Sequence, residues 1–527
     1  MSDPSATADL SAALRTLLAE VPAVSSHHPV RDAAARAEEL KEGKIAKALR
    51  LFVSMPPSTR ILANPPLYRA TVDCDGTEIQ LEIRSFSIRG LIAEHEIVTG
   101  AVDPVTLIFV GLFGRRPSGG PVDERQLFGA LLDRTFFEAL DLEGSHQPDG
   151  DLVASVAAFV RRHPGLGPEV AIQHQAILAK AARGARGLER GLNDERPPDA
   201  MLVEMIRAHL ANVVVGGLSV HLNRRLRGHP SATTEELAAH ARQFVAAERQ
   251  RGRGVFEVTY SLLLGRHASR VESTILERMG AIQTHHGSAG SNMVARYFAT
   301  LHTGSVVDFF IAAHMALDCE RHFGAIHDMT RFIHRVEALP PEAWDEEVRR
   351  GMLGGGLPTF GHPEIAAAGR GTELQQDPRP AIYLAPLFQA IDDGEVELAP
   401  PQHRRLALVQ RIYQIAFVTG VLKPGREHDE PLRLTPNTDF GAWSVQEVLG
   451  VHELDRTFLT YVFRGFGWMM DAREQLAQPI IRPVIPPDPE IVPRDATDRT
   501  IPDIVGRFHR RLTGAEHAFV AQTVPAS

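Results

Sequence analysis

Cysteine is scarce in this chain, with only Cys74 and Cys319 among 527 residues. Two cysteines cannot build a disulfide framework or a cysteine-based zinc site, and such scarcity is typical of proteins that work in a reducing compartment. We therefore expect a cytoplasmic protein. The N-terminal sequence MSDPSATADLSAALRTLLAE lacks a basic stretch followed by an apolar core, so we expect no secretory signal there.

Long apolar runs and a strong excess of one charge are missing as well. The longest runs, such as residues 105–113, fall far short of the roughly 20 residues that span a bilayer. The chain has 56 Lys and Arg against 65 Asp and Glu, a net charge of −9. A mildly acidic chain is a poor match for general binding to nucleic acid or to membrane surfaces, and we expect neither as a partner.

The composition otherwise resembles that of globular proteins. Hydrophobic residues make up 44% and charged residues 23% of the chain, so it has the material for packed domains. Its length favours two or three domains. The unusual feature is histidine, which occurs 24 times with several copies close together, and this excess directs attention to metal binding or catalysis.

Local patterns predict a mostly α-helical protein with one small β-hairpin near the N-terminus. Within residues 68–83, alternating apolar residues flank Asp75-Gly76, a pair that is typical of tight hairpin turns. From about residue 91 the spacing of apolar residues is helical. Asp103-Pro104 predicts a helix start, with the aspartate as cap and the proline in the first turn.

Three longer stretches are also predicted to be helical. Residues 292–338 are expected to form one or two helices, broken near Gly304 and Gly324. Residues 381–422 and 442–478 are each predicted as further helix. The tail that follows is rich in proline and predicts an extended arm.

Two histidine-containing segments are the first candidates for chemistry. Residues 284–296 hold His286 among small residues that lead into a helix, where the backbone can approach a ligand closely; a simple helix cap is the alternative. His314, Asp318 and His322 follow at intervals of four, so they share one face if a single helix runs through all three. Such a face binds a metal or forms a polar stripe.

Two turns complete the set of candidates. A glycine-rich run at residues 354–361 precedes His362, so that backbone amides and an imidazole can face one ligand; the alternative is an interdomain hinge. Residues 434–440 predict a turn that places Asp439 at the start of a helix, either as a cap or as a catalytic carboxylate.

In their order along the chain, these segments resemble the citrate synthase family. In that family a His-containing segment precedes a long helix, a Leu-His-Gly-Gly-Ala-Asn motif ends that helix, and a Gly-Phe-Gly-His loop and a Pro-Asn-Val-Asp-Phe turn follow. The counterparts here are His286 with Asn292 and Arg296, then His322-Phe-Gly-Ala, Thr359-Phe-Gly-His362, and Pro436-Asn-Thr-Asp-Phe440. Three arginine segments match as well: Asp377-Pro-Arg379, Phe463-Arg464-Gly, and Ile480-Ile-Arg482-Pro.

The resemblance implies a two-domain helical fold and a Claisen condensation. The substrates would be an acyl-CoA, acetyl- or propionyl-CoA, and a 2-oxo acid such as oxaloacetate, with hydrolysis of the thioester, as in the tricarboxylic acid cycle or in 2-methylcitrate synthesis. Asp439 would take the α-proton, His322 would donate a hydrogen bond to the thioester oxygen, and His362 would polarise the ketone. The substrate-binding residues would be His286, Arg379, Arg464 and Arg482.

The resemblance also implies a homodimer, because the last arginine of the family site comes from the partner subunit. It implies no tightly bound cofactor and no metal, with acyl-CoA as a substrate. The domain organisation would be an N-terminal arm (1–60), a large helical domain (61–324 and 446–482), a small domain that carries His362 and Asp439 (325–445), and an extended C-terminal arm (483–527).

The chain departs from the family pattern at three places. Phe323 follows His322 where the family has a small residue, Pro363 follows His362, and residues 366–373 look like an insertion. These differences predict a divergent member with an altered substrate, such as a methylcitrate-type enzyme, an alkylcitrate-type enzyme or a lyase that runs in the cleavage direction.

Two other functions remain open from the sequence. His327-Asp328, with His302 or His314 as further ligands, would suit a metal-dependent phosphohydrolase of the HD type. A catalytically altered relative that only binds ligands is the second alternative.

Overall fold

The computed structural model describes residues 68–72, 79–83, 86–87, 103–113, 116–119, 123–140, 151–185, 198–284, 290–301, 306–318, 324–354, 357–360, 378–422 and 431–476. Several predicted features lie outside the described residues: His286, His322, His362, Arg482, the insertion at 366–373 and both predicted arms.

The described residues all belong to one compact unit, Met1–Pro29 with Leu62–Pro483. A second unit, Val30–Ile61 with Val484–Ser527, lies outside the described residues. The division of the first unit into a large and a small domain stays a prediction.

Sixteen α-helices account for most of the described chain. The first eight are α1 Pro104–Phe113, α2 Glu124–Leu140, α3 Leu152–Arg162, α4 Pro168–Ala185, α5 Pro198–Gly228, α6 Thr234–Gln250, α7 Val255–Leu264 and α8 Arg270–Gln283. The others are α9 Gly290–Leu301, α10 Val306–Leu317, α11 Gly324–Glu337, α12 Trp344–Leu353, α13 Pro378–Asp392, α14 Pro400–Tyr413, α15 Thr438–Val448 and α16 Phe458–Leu476. Short 3-10 helices lie at Pro341–Ala343 and Glu453–Asp455, and a π-helix at Gln414–Thr419.

A three-stranded antiparallel sheet precedes the helices. Its strands are β1 Tyr68–Val72, β2 Ile79–Ile83 and β3 Phe86–Ser87, in the order β1-β2-β3. The β1–β2 register runs from Tyr68 opposite Ile83 to Val72 opposite Ile79. This register is centred between residues 75 and 76, so the two strands pair as the Asp75-Gly76 turn predicts.

The predicted helix boundaries are confirmed where capping residues marked them. α1 begins at Pro104, and the Asp103 carboxylate accepts a hydrogen bond from the backbone N–H of Val105 at 3.1 Å. Residues 292–338, predicted as one or two helices, instead form parts of three, because α9 ends at Leu301, α10 covers Val306–Leu317 and α11 begins at Gly324.

Two breaks were missed. Gly394 separates α13 from α14, and Gly450 ends α15; both have positive φ, 75° and 73°. A glycine adopts this conformation without steric cost, and it commonly ends a helix. The prediction of helix throughout 381–422 and 442–478 was therefore wrong at these two breaks.

Helix α5 lies at the centre of the first half of the unit. It packs against α2, α3, α4, α6, α7, α10 and α16, and its Leu210, Val213, Val214 and Leu218 are fully buried. Residues Met201–Gly228 are long and apolar enough to cross a membrane, which the apolar runs in the sequence did not suggest. Because helices surround this stretch on several sides, its composition is that of a core helix.

Helix α8 connects the two groups of helices that carry the candidate residues. It packs against α16, which holds Arg464, and against α13, which holds Arg379. Helix α13 in turn packs against α15, whose first turn contains Asp439.

Candidate active site

Asp439 lies in the first turn of α15, as the sequence predicted. Asn437 is the N-cap of this helix, and its side-chain Oδ1 accepts hydrogen bonds from the backbone N–H of Asp439 at 2.9 Å and of Phe440 at 3.3 Å. The cap thus accepts hydrogen bonds from backbone N–H groups at the helix start, which have no partner within the helix. The Asp439 side chain is partly exposed, so its carboxylate lies at the helix start within reach of a ligand.

The segment that leads to His362 is attached to the same turn. The backbone N–H of Asn437 donates to the carbonyl of Thr359 at 3.0 Å, and Phe360 forms an isolated β-bridge with Pro436. The rings of Phe360 and Phe440 lie 5.0 Å apart. The glycine-rich loop and the aspartate turn, two motifs separated in sequence, are therefore brought together.

Thr359 has a strained backbone at this junction. Its φ is 65°, and it is the only non-glycine residue in the described part of the chain with positive φ. This region is unfavourable for a β-branched residue. Such strain persists only where surrounding contacts enforce it, and here the bond to Asn437 does so.

Arg464 is buried in α16 and holds the chain on both sides of the His286 segment. Its Nε donates to the carbonyl of Gln283, the last residue of α8, at 2.8 Å. Its Nη1 donates to Oδ1 of Asn292 in α9 at 3.3 Å. His286 lies between these two residues in sequence, outside the described residues.

A buried charge network supports this arginine. The side-chain Nδ2 of Asn292 donates to Oδ2 of Asp471 at 2.6 Å, and Nε of Arg296 donates to Oδ1 of Asp471 at 2.8 Å. Both Asn292 and Asp471 are completely buried. Because Nδ2 is held by the carboxylate, the Asn292 amide presents its oxygen to Arg464.

The sequence analysis missed Asp471. It belongs to no motif, and the only local signal is its spacing of seven residues from Arg464, which places both on one face of α16. Its partner Arg296 was noted only as part of the His286 segment.

Arg379 is the second residue of α13 and is almost completely buried, with 2% of its surface exposed. Helix α13 is held to α8 by a hydrogen bond from Nη1 of Arg278 to the carbonyl of Ile382 at 3.5 Å. The predicted arginine therefore lies at the start of a helix that contacts both α8 and α15.

His209 of α5 is a further residue that the sequence analysis missed. Its Nε2 lies 2.7 Å from the carbonyl of Val462 in α16, so Nε2 carries the proton and donates it. Burial lowers the pKa of His209 to about 4, and the bond to Val462 partly opposes this. The neutral ring packs where any side chain on Gly465 would overlap it.

Two of the residues proposed for a metal site have other contacts, and His302 lies outside the described residues. The ring of His314 is buried and lies 4.3 Å from the ring of Tyr461. Asp328 pairs with Arg331 on the exposed side of α11. Within the described ranges, no group of three His, Cys, Asp or Glu side chains is arranged to hold a metal ion.

Comparison with known proteins decides the family. The sequence model of one family, described as citrate synthase, C-terminal domain, matches residues 191–484. The chain belongs to the citrate synthase family. The match includes every predicted catalytic and substrate-binding residue, from His286 to Arg482. No curated protein sequence matches the chain significantly.

Solved citrate synthases share the fold. A ternary complex of the Thermoplasma acidophilum citrate synthase with carboxymethyl coenzyme A and oxaloacetate has a TM-score of 0.53 at 16% identity, covering 81% of this chain and 93% of that one. The Pyrobaculum aerophilum citrate synthase gives 0.52 at 18% identity, with 81% and 90% covered. The citrate synthase of Thermotoga maritima MSB8 has a TM-score of 0.51 at 13% identity, and the match covers 82% of this chain and 94% of that one. The predicted mostly helical, citrate synthase-like fold is confirmed.

Proposed function

We propose that the chain condenses an acyl-CoA with a 2-oxo acid such as oxaloacetate and hydrolyses the thioester. The observation that carries the proposal is the attachment of the Thr359–Phe360 segment to the turn that holds Asp439. His362 follows Phe360 by two residues, and consecutive Cα atoms are about 3.8 Å apart. This attachment supports a shared site for a general base and a carbonyl-polarising histidine.

The reaction assigns one task to each catalytic residue. The Asp439 carboxylate takes a proton from the α-carbon of the acyl-CoA while His322 donates a hydrogen bond to the thioester oxygen. The resulting enol carbon attacks the keto carbon of the 2-oxo acid, whose oxygen His362 polarises. Water then cleaves the thioester and releases the CoA thiol and a carboxylate.

The arginines would bind the carboxylates of the 2-oxo acid, with His286 as a further contact. The contacts of Arg464 with Gln283 and Asn292 fix the orientation of its guanidinium, and its remaining N–H groups would bind the carboxylate. Arg379 and Arg482 complete the proposed set. No cofactor beyond the acyl-CoA substrate is required by this chemistry.

Thiol release tests the proposal directly. Purified protein is mixed with oxaloacetate or other 2-oxo acids and with acetyl-CoA or propionyl-CoA, and free thiol is followed with a chromogenic reagent. Asp439→Asn should lower kcat by about 10²- to 10⁴-fold, the contribution of a positioned general base. Asp328→Asn is the matched control, because Asp328 pairs with Arg331 on an exposed helix face and is a residue of the alternative metal site.

The outcomes separate the candidate functions. Absence of thiol from the whole panel, or normal activity of Asp439→Asn, contradicts a condensing enzyme. Binding of acyl-CoA by calorimetry without thiol release would identify a catalytically altered binding protein. Loss of a metal-dependent phosphatase activity in Asp328→Asn would support the HD-type alternative.

We also propose a cytoplasmic homodimer. Helices α4 and α10 pack against each other and expose the large apolar side chains of Ile177, Leu178 and Met315, which are 57%, 47% and 59% accessible. Apolar surface of this kind is common at subunit interfaces. Sedimentation equilibrium distinguishes a dimer from a monomer.

A further inference from the structure

Tyr383 contacts the backbone next to Asp439. It lies in α13, one helical turn after Arg379, and its ring is completely buried. Its hydroxyl donates to the carbonyl oxygen of Thr438 at 2.6 Å and lies 3.1 Å from the Thr438 hydroxyl. The Thr438 carbonyl belongs to the peptide group whose N–H is that of Asp439.

The same peptide group is held from its other side. The N–H of Asp439 donates to Oδ1 of Asn437, while Asn437 is itself bonded to Thr359. The carbonyl and the N–H of the peptide that precedes the catalytic carboxylate are therefore both fixed by groups from outside or before the helix. A peptide held at both ends cannot rotate without breaking a buried hydrogen bond.

The close approach of Tyr383 depends on Gly441. A Cβ atom on this residue would lie 2.5 Å from Cε2 and 2.9 Å from the hydroxyl oxygen of Tyr383. Any larger residue would push the ring away from α15. The glycine one turn after Thr438 thus gives the tyrosine access to the start of the helix.

We infer that Tyr383 is a positioning residue for the base Asp439, acting through the Thr438 carbonyl. The inference rests on the proposed condensation, in which Asp439 removes the α-proton. Proton abstraction from carbon is sensitive to the position of the base, and a displacement of about 1 Å can cost about 10²-fold in rate. Removing the hydroxyl should therefore slow proton transfer and leave binding of the 2-oxo acid in place.

The test uses Tyr383→Phe, which keeps the ring and removes only the hydroxyl. We expect kcat to fall by roughly 10- to 100-fold, with the KM for oxaloacetate unchanged. The deuterium isotope effect on kcat, measured with methyl-deuterated acetyl-CoA, should rise, because proton transfer becomes a larger part of the rate limitation. A residue that only stabilised the fold would not change the isotope effect.

Two further variants keep the result interpretable. Tyr260→Phe is the matched control, since the Tyr260 hydroxyl is equally buried but has no hydrogen-bond partner among the described residues. Its kinetics should equal those of the wild type. Gly441→Ala keeps the hydroxyl but displaces the ring. We expect it to lower kcat and to raise the isotope effect as Tyr383→Phe does. It therefore provides the test if Tyr383→Phe does not fold.

The possible results separate the inference from the proposed function. An active wild type with unchanged kcat and isotope effect in folded Tyr383→Phe or Gly441→Ala overturns the role of Tyr383 alone. A rise in KM for oxaloacetate with normal kcat also overturns it. If the wild type releases no thiol while it is folded, the proposed function falls and the inference falls with it.

Discussion

The buried imidazole of His314 gives the free energy of unfolding a pH dependence that a single substitution should remove. Burial, and secondarily the nearby His209, lowers the pKa of His314 from 6.5 to about 3. Between these two values the unfolded chain binds a proton that the folded chain does not. The free energy of unfolding is therefore highest above pH 6.5, as far as this residue contributes to it, and it decreases as the pH falls from 6.5 towards 3.

The size of the effect follows from the pKa difference. One pH unit corresponds to about 1.36 kcal/mol, so at pH 5 the folded state has lost about 2 kcal/mol relative to pH 7.5 on account of this residue. His314→Phe retains an aromatic ring to pack against Tyr461 and cannot be protonated. Between pH 7.5 and pH 5, the free energy of unfolding of the variant should therefore fall by about 2 kcal/mol less than that of the wild type.

Other buried groups also change the free energy of unfolding with pH, so the variant has to be compared with the wild type. Burial raises the pKa of Glu169 to about 7 and that of Glu277 to about 8, and these carboxyls favour the folded state as the pH falls. They are present in both proteins, so they cancel in the difference. Urea unfolding of the wild type and of His314→Phe at pH 7.5 and pH 5 measures this difference in the free energy of unfolding. His334→Gln is the control, because His334 lies on the exposed side of α11.

Equal pH dependence in the wild type and His314→Phe would refute the reasoning, because it would mean that the imidazole is hydrated or paired in the folded state. A smaller acid loss in His334→Gln would point to surface charge rather than burial as the cause.

Two further substitutions test the framework around Arg464. Gly465→Ala places a methyl group on the ring of His209, so we expect a loss of about 1–3 kcal/mol in urea unfolding and a higher KM for oxaloacetate, both reduced when His209→Ala is added. Asp471→Asn leaves Arg296 buried without its carboxylate, for which we expect a loss of about 3–5 kcal/mol in the same unfolding measurement; a loss below 1 kcal/mol would contradict the buried pair.

The features that the sequence predicted well are local. The register of β1 and β2 follows from Asp75-Gly76, and the start of α1 follows from Asp103-Pro104, because turn and cap residues act on the backbone beside them. The missed breaks at Gly394 and Gly450 also had local signals. Each glycine follows a helical apolar pattern, where a left-handed residue ends the helix.

The contacts between distant segments were not predictable from local patterns. Asp471 and Asn292 are 179 residues apart, and His209 and Val462 are 253 apart. Their pairing depends on which helices pack together. A motif can nominate Arg464, but only the packing of α8, α9 and α16 shows what orients it.

The histidine excess shows the same limit. Composition suggested metal binding, yet His209, His221 and His314 are buried, and burial lowers the pKa of each far below 6.5. They pack against aromatic rings, as core residues do. The number of histidines in a sequence does not distinguish a ligand from a neutral core side chain, because the difference lies in what surrounds the ring.

Four of the long-range hydrogen bonds that support the candidate site end on main-chain carbonyls, besides the side-chain network around Asp471. The donors are Arg464, the backbone N–H of Asn437, Tyr383 and His209. The acceptors are the carbonyls of Gln283, Thr359, Thr438 and Val462. Every residue has a main-chain carbonyl, whatever its side chain. Such contacts therefore constrain the donor residue and the course of the backbone, but not the residue type at the acceptor position. A framework built in this way tolerates extensive substitution, which is consistent with a shared fold at 16% sequence identity.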